Sequence, residues 1–129
     1  MDYKIHHIGV ATNDIEATAE LYRKLGYLVS ETVIDQNQHV YVKFCELRGA
    51  KIELIGLIDE KSPISKLLIK SGVTPYHICY EVCNIDSAVT ELRAQGYIPT
   101  TRKMASTIGG RDVIFLYHKK NCLIELLQE

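Results

Sequence analysis

Residues 7–27 read HIGVATNDIEATAELYRKLGY and residues 77–97 read HICYEVCNIDSAVTELRAQGY, and the two align without a gap at an offset of 70. Ile8 meets Ile78, Ile15 meets Ile85, Arg23 meets Arg93, Gly26 meets Gly96 and Tyr27 meets Tyr97. An internal repeat of this length constrains the fold more than any other feature of the chain. Each copy must be one supersecondary unit, and its apolar face must find a partner to be buried.

The pattern inside each copy is specific. A short apolar run of strand length opens it, IHHIGVA in the first and YHICYEV in the second. Asn13-Asp14 and Asn84 follow, with side chains suited to a helix N-cap. Ile15, Ala19 and Tyr22, and then Ile85, Val89 and Leu92, recur at helical spacing. Gly26 and Gly96 stand where a left-handed residue would end each helix. Three strand-like runs complete each half: YLVSETVI, HVYVKFCEL and KIELIGL, then YIPTTRKM, DVIFLYH and CLIELLQ. RGA and KKN are the turns before the last run of each half. Residues 58–74 join the halves and predict a short helix, capped by Ser62 with Pro63 at its first position.

Bulk properties exclude several classes. Apolar residues make up 47% and charged residues 24% of the 129, a balance that suits one soluble globular domain. Apolar runs fall short of the ~20 residues a membrane-spanning helix needs. The start MDYKIHHIGV lacks a basic region followed by an apolar stretch, so no signal peptide is expected. A net charge of −1 argues against a general nucleic-acid binder. Cys45, Cys79, Cys83 and Cys122 show no CxxC spacing, and a cytoplasmic protein with free thiols is expected.

The duplication also selects four polar residues. His7 and His77 open the halves; Glu53 in KIELI and Glu125 in LIELL close them. A histidine in an apolar strand is ordinarily a satisfied core residue. A glutamate among apolar neighbours costs several kcal/mol unless it is paired or bound to metal. Two such glutamates, each matched by an equivalent histidine, favour a site for a divalent ion. With no sulfur in the set, a tetrahedral thiolate zinc site is not indicated. His6, one residue from His7, points to the other face of its strand.

With these residues in place, the chain resembles the vicinal-oxygen-chelate superfamily, the glyoxalase and bleomycin-resistance group. The duplicated modules, opening HHIGVA and closing IEL, span essentially the whole chain. The resemblance implies an α+β fold of two βαβββ modules in tandem, forming a curved eight-stranded mixed sheet around a metal cleft. It implies one domain over residues 1–129: module one 1–57, linker 58–74, module two 75–129. It implies His7, Glu53, His77 and Glu125 as ligands of one divalent ion per subunit, with Ni or Co preferred over Zn, Mn or Fe. Homodimers are common in the resembled families, and a homodimer is expected.

Among superfamily members, a two-histidine, one-carboxylate iron site leaves Glu53 without a role, and the drug-sequestering proteins need no catalytic ligands. The isomerases remain. They remove a proton beside a carbonyl and stabilise the resulting enediolate on a metal, so Glu125 is expected as the base and Glu53 as its partner. EKSPISKLL and GGRDVIFL resemble segments of the methylmalonyl-CoA epimerases, whereas FLYHKKNCLIEL departs from their final hairpin and from that of the glyoxalases. The first expectation is a glyoxalase I (lactoylglutathione lyase) acting on a methylglyoxal–thiol hemithioacetal. The second is a methylmalonyl-CoA epimerase acting on an acyl-CoA, and the third a non-catalytic small-molecule binding protein. Arg102, Lys103 and Arg111 are candidates to hold an anionic tail of the substrate.

Overall fold

The computed structural model describes residues 1–129. It is mixed α+β, with ten strands and three helices. The chain divides into two compact units, residues 7–76 and residues 1–6 with 77–129. No helix is long and apolar enough to cross a membrane.

In the unit of residues 7–76, strand β1 (Lys4–Thr12, from His7 onward) runs parallel to β5 (Ala50–Leu57), and β5 is antiparallel to β4 (Val40–Leu47). Strands β2 (Leu28–Val29) and β3 (Val33–Asp35) both pair with β4. Helix α1 (Ile15–Lys24) starts at Asp14, whose side chain accepts the Ala17 N–H, and buries Ile15 and Ala19 against Val10, Cys45 and Leu54. The opposite face of the sheet carries Ala11, Val40, Val42 and Ile55, covered by Ile64 and by Leu68 of helix α2 (Ser65–Ser71).

The other unit repeats the plan. Strand β6 (Thr74–Val82, from His77 onward) is parallel to β10 (Leu123–Gln128), which is antiparallel to β9 (Asp112–Tyr117). Strands β7 (Ile98–Pro99) and β8 (Met104–Ala105) both pair with β9. Helix α3 (Ile85–Ala94) is capped by Asn84, which accepts the Ser87 N–H, and buries Ile85, Ala88 and Leu92 against Val82, Ile114, Leu116, Ile124 and Leu126.

Both helices end alike. Tyr27 N–H donates to Tyr22 O and Gly26 N–H to Arg23 O; Tyr97 N–H donates to Leu92 O and Gly96 N–H to Arg93 O. These are the two bonds of a Schellman ending, and the glycines take φ of +101° and +97° as that ending requires.

Two expectations need correction. The sheet was expected to have eight strands, but segments 27–34 and 97–104 each break in two. At Ser30 the backbone N–H donates to Phe44 O, while the Ser30 hydroxyl accepts the Phe44 N–H at 2.8 Å. At Thr100 and Thr101 the same substitution occurs: Thr100 N–H donates to Phe115 O, and Thr101 Oγ1 accepts the Phe115 N–H at 3.1 Å. A hydroxyl thus replaces a ladder carbonyl and interrupts the strand. The linker helix is also capped differently. It begins after Ile64 with no side-chain cap. Ser62 is buried; its hydroxyl accepts from Ile58 N–H and donates to His39 O, which ties down the turn before the helix.

Candidate functional site

Strand alternation decides which residues share a face. In β5, Leu54 points to α1, so Glu53 and Ile55 point to the opposite face. In β10, Ile124 and Leu126 point to α3, while Glu125 and Leu127 point away from it. The parallel ladders then set the register: Glu53 lies beside Gly9 and Glu125 beside Cys79, each two residues beyond its histidine.

The result is the same pair twice. His7 Nε2 stands 3.2 Å from Glu53 Oε1, and His77 Nε2 stands 3.2 Å from Glu125 Oε1. All four residues are buried. Sequence reasoning missed a third member of each group. Phe44 meets the His7 ring edge-on at 5.4 Å, and Phe115 meets the His77 ring at 5.3 Å. Phe44 lies directly across from Glu53 in the ladder, and Phe115 across from Glu125. The chain has only two phenylalanines, and both serve here. That scarcity, together with their matching places before the final turns, was the available signal. The hydroxyls at Ser30 and Thr101 pin the backbone of these same two residues.

The donor chemistry fits a divalent cation. Two ligand atoms each about 2.1 Å from one ion are about 3.0 Å apart at an octahedral angle and about 3.4 Å apart at a tetrahedral one. A spacing of 3.2 Å in each pair suits such a role. It is long for a direct charge-assisted hydrogen bond, about 2.7–2.9 Å.

Other sequence candidates sit elsewhere. Arg111 is half-buried and committed: it pairs with Glu81 and donates through Nε to Gln128 O at 2.7 Å. Its guanidinium holds the Glu81 carboxyl below its ordinary value. Lys103 pairs with Asp86 at 3.1 Å, and Arg102 is exposed. Cys79 is buried with Val113 and Leu127, consistent with a core role. His39 pairs with Asp59 at 3.0 Å, and His118 Nε2 lies 3.2 Å from Gln95 O. Phe115 and Tyr117 alternate on one face of their strand, a pattern that predicts core packing for both; Phe115 is buried, but Tyr117 is 48% exposed, because it pairs only with Ile98 of the short strand β7. Cys122, read as part of an apolar strand, lies in the exposed loop before β10.

Comparisons with known proteins bear on what such a site does. The family model of the glyoxalase/bleomycin resistance protein/dioxygenase superfamily matches residues 6–115. The human mitochondrial methylmalonyl-CoA epimerase is 35% identical over 130 residues, covering 97% of this chain and 73% of its own length. The ethylmalonyl-CoA/methylmalonyl-CoA epimerase of Cereibacter sphaeroides is 37% identical over 136 residues, covering 97% of each. A solved methylmalonyl-CoA epimerase in complex with methylmalonyl-CoA and ammonium superposes with a TM-score of 0.87 at 26% identity, over 98% of this chain and 94% of that one.

These relatives overturn the first functional expectation, a glyoxalase I-type lyase, in favour of the second. The final hairpin that departs from the epimerase pattern does not reach the site. Its loop is closed by His118, whose carbonyl accepts Asn121 N–H and whose Nδ1 accepts Lys120 N–H. The change is confined to a hairpin tip, beyond the strand residues that carry Phe115 and Glu125. The chain belongs to the glyoxalase/bleomycin resistance protein/dioxygenase superfamily.

Proposed function

We propose that the protein is an epimerase of 2-alkylmalonyl-CoA thioesters, of which methylmalonyl-CoA is the first substrate to test. The observation that carries the reading is the pair of buried carboxylates, Glu53 and Glu125, in matching settings in the two halves. Inverting a carbon between a carboxylate and a thioester requires one group to take the proton and another to return one to the opposite face. Two glutamates provide both roles without a change of residue. The epimerase names of relatives covering nearly the whole chain supply the substrate class.

In this reading His7, Glu53, His77 and Glu125 hold one divalent cation. When bound, the ion supplies Lewis-acid stabilisation of negative charge on the thioester oxygen, which acidifies the neighbouring C–H. Glu125 takes the proton and Glu53 acts as its counterpart. His7 and His77 would complete the ligand set, and Phe44 and Phe115 hold the two imidazole planes edge-on. Burial of both carboxylates keeps bulk water from them, so a proton moves between glutamate and substrate carbon.

The test is proton exchange. Methylmalonyl-CoA incubated with the metal-loaded protein in deuterated water should take up deuterium at C2 with loss of optical purity. Glu125→Gln should lower exchange by about 10²–10⁴-fold. Metal content of the purified variant should be measured alongside, because Gln keeps an oxygen donor. Full exchange by Glu125→Gln with metal bound would remove Glu125 as base. No exchange by the wild-type, metal-loaded protein with either methylmalonyl-CoA or ethylmalonyl-CoA would remove the epimerase reading.

A further inference from the structure

On the α3 side of its unit, away from Glu125 and His77, a pocket of about 230 Å³ opens between Tyr3, Tyr80, Leu92, Tyr97, Asn121 and Ile124. It has no use in the chemistry above. We propose that this pocket binds a small neutral monocyclic aromatic molecule of the phenol class.

The repeat itself indicates the occupant. Leu92 and Tyr97 correspond to Tyr22 and Tyr27 at the offset of 70, and they hold the same two places in the helix ending. In the first half the Tyr22 phenol packs edge-on against Tyr27, with ring centroids 5.0 Å apart. In the second half leucine stands at that place, and the ring beside Tyr97 is the His118 imidazole, tilted at 57° with centroids 4.9 Å apart, so the chain supplies no phenol there. The pocket is lined by both Leu92 and Tyr97. A free phenol entering it brings to the Leu92 side of Tyr97 the ring that the first half supplies from its own side chain.

The walls suit a ring. Tyr3 and Tyr80 stand at 83° to one another with centroids 6.2 Å apart, giving two orthogonal aromatic surfaces. Two of the three hydroxyls are already used: Tyr3 donates to Glu91, and Tyr97 accepts from Asn121 Nδ2 at 2.9 Å. Asn121 Oδ1 accepts from Cys122 N–H, which fixes the amide. The Tyr80 side chain makes a ring contact and leaves its hydroxyl for a ligand. Burial raises the Tyr3 and Tyr80 phenols above their ordinary value, so both stay protonated and neutral at neutral pH. A tyrosine cage also invites a quaternary ammonium ion. Here the lining contains Leu92 and Ile124 and no carboxylate, and the Glu91 carboxylate behind Tyr3 is already engaged by the Tyr3 hydroxyl and the N-terminal ammonium, so a cation would find no unused counter-charge. The neutral ring is the better match.

The experiment titrates the full-length protein with phenol and, separately, with tetramethylammonium chloride, following methyl and tyrosine-ring NMR resonances. Phenol should give saturable shifts centred on Tyr3, Tyr80, Leu92, Tyr97 and Ile124, with a Kd on the order of 1 mM. Leu92→Tyr, which copies Tyr22, should fill the pocket and abolish those shifts in a folded protein. Tyr80→Phe keeps the ring and removes the hydroxyl; it should weaken phenol about fivefold, and it decides the matter if Leu92→Tyr does not fold. Absence of saturable shifts, shifts that survive in folded Leu92→Tyr, unchanged phenol affinity in Tyr80→Phe, or tighter binding of tetramethylammonium than of phenol would each overturn the proposal.

Discussion

The two halves agree most closely around their glutamates and differ most in what packs beside their helices. On the side that carries the glutamates, the histidine–carboxylate spacing is 3.2 Å in both, and the histidine–phenylalanine centroids differ by only a tenth of an ångström, 5.4 against 5.3 Å. On the helix side, Tyr22 is replaced by Leu92, and a two-residue turn at Arg48-Gly49 is replaced by the longer loop 118–122. Arg48 and Gly49 both have positive φ, +49° and +87°, the signature of a tight hairpin turn whose twist matches its strands. The loop at 118–122 instead needs His118 to close it. The aromatic and polar packing thus matches around the residues where the chemistry is proposed, whereas on the helix side the match is kept in the caps and endings but not in the side chains between them. The helix face has been filled in two different ways.

Core truncation should expose that difference most strongly. Leu54 and Leu126 sit at corresponding places, fully buried, each against the helix of its own unit. Either leucine replaced by alanine should cost about 2–5 kcal/mol, with the spread set by how far the neighbours can close the gap. Around Leu54 the Tyr22–Tyr27 pair is already packed. Leu126 shares its cluster with Leu92 and Ile124, which border open space and have room to relax. Urea denaturation should therefore place Leu54→Ala nearer the upper end of that range and Leu126→Ala nearer the lower. The reverse order would mean that the pocket does not soften the second core.

Much of this was legible in the chain. The gapless repeat located both helices, their Asp14 and Asn84 caps, their glycine endings and the two histidines, and the matching IEL endings picked out the two glutamates, because each is a local signal that recurs. What was not legible depended on partners far away in sequence. Ser30 and Thr101 break their strands only because Phe44 and Phe115 are opposite, a pairing no local pattern announces. Ser62 reads as a helix cap, yet its hydroxyl is spent on His39, 23 residues away. Phe115 reads as ordinary core until the ladder sets it, and Phe44 in the other half, across from a glutamate.

A smaller effect separates the two helix endings. Both glycines hold a left-handed conformation that costs a residue with a Cβ about 1–2 kcal/mol. A Cβ at Gly26 would meet only Leu47 Cδ1 at 3.8 Å, whereas one at Gly96 would meet His118 Nε2 at 3.1 Å. Gly96→Ala must therefore displace the His118 ring as well, and with it the loop that it closes. Thermal melts should show Gly96→Ala lower than Gly26→Ala, and Gly96→Ala combined with His118→Ala should recover part of the excess. Equal melting points for the two single variants would show that the His118 ring moves aside without cost.

The smallest expected effect lies in a pair that the first half does not have. Glu81 corresponds to Ala11, which is buried in an apolar cluster, so only the second unit carries a Glu81–Arg111 ion pair. Hydrogen bonding to Arg111 lowers the Glu81 carboxyl below its ordinary 4.5 in the folded state. A carboxyl shifted that way stabilises the fold above its unfolded value, and the contribution disappears as the pH falls through the folded one. Because both side chains keep contact with solvent, the contribution should be no more than about 1 kcal/mol. The stability gap between wild type and Glu81→Gln should therefore be level from pH 7 to pH 5 and shrink below about pH 4.5. Raising the salt concentration should narrow it at every pH. A gap that widens toward acid would reverse the sign and place the stabilising form of Glu81 in its protonated state.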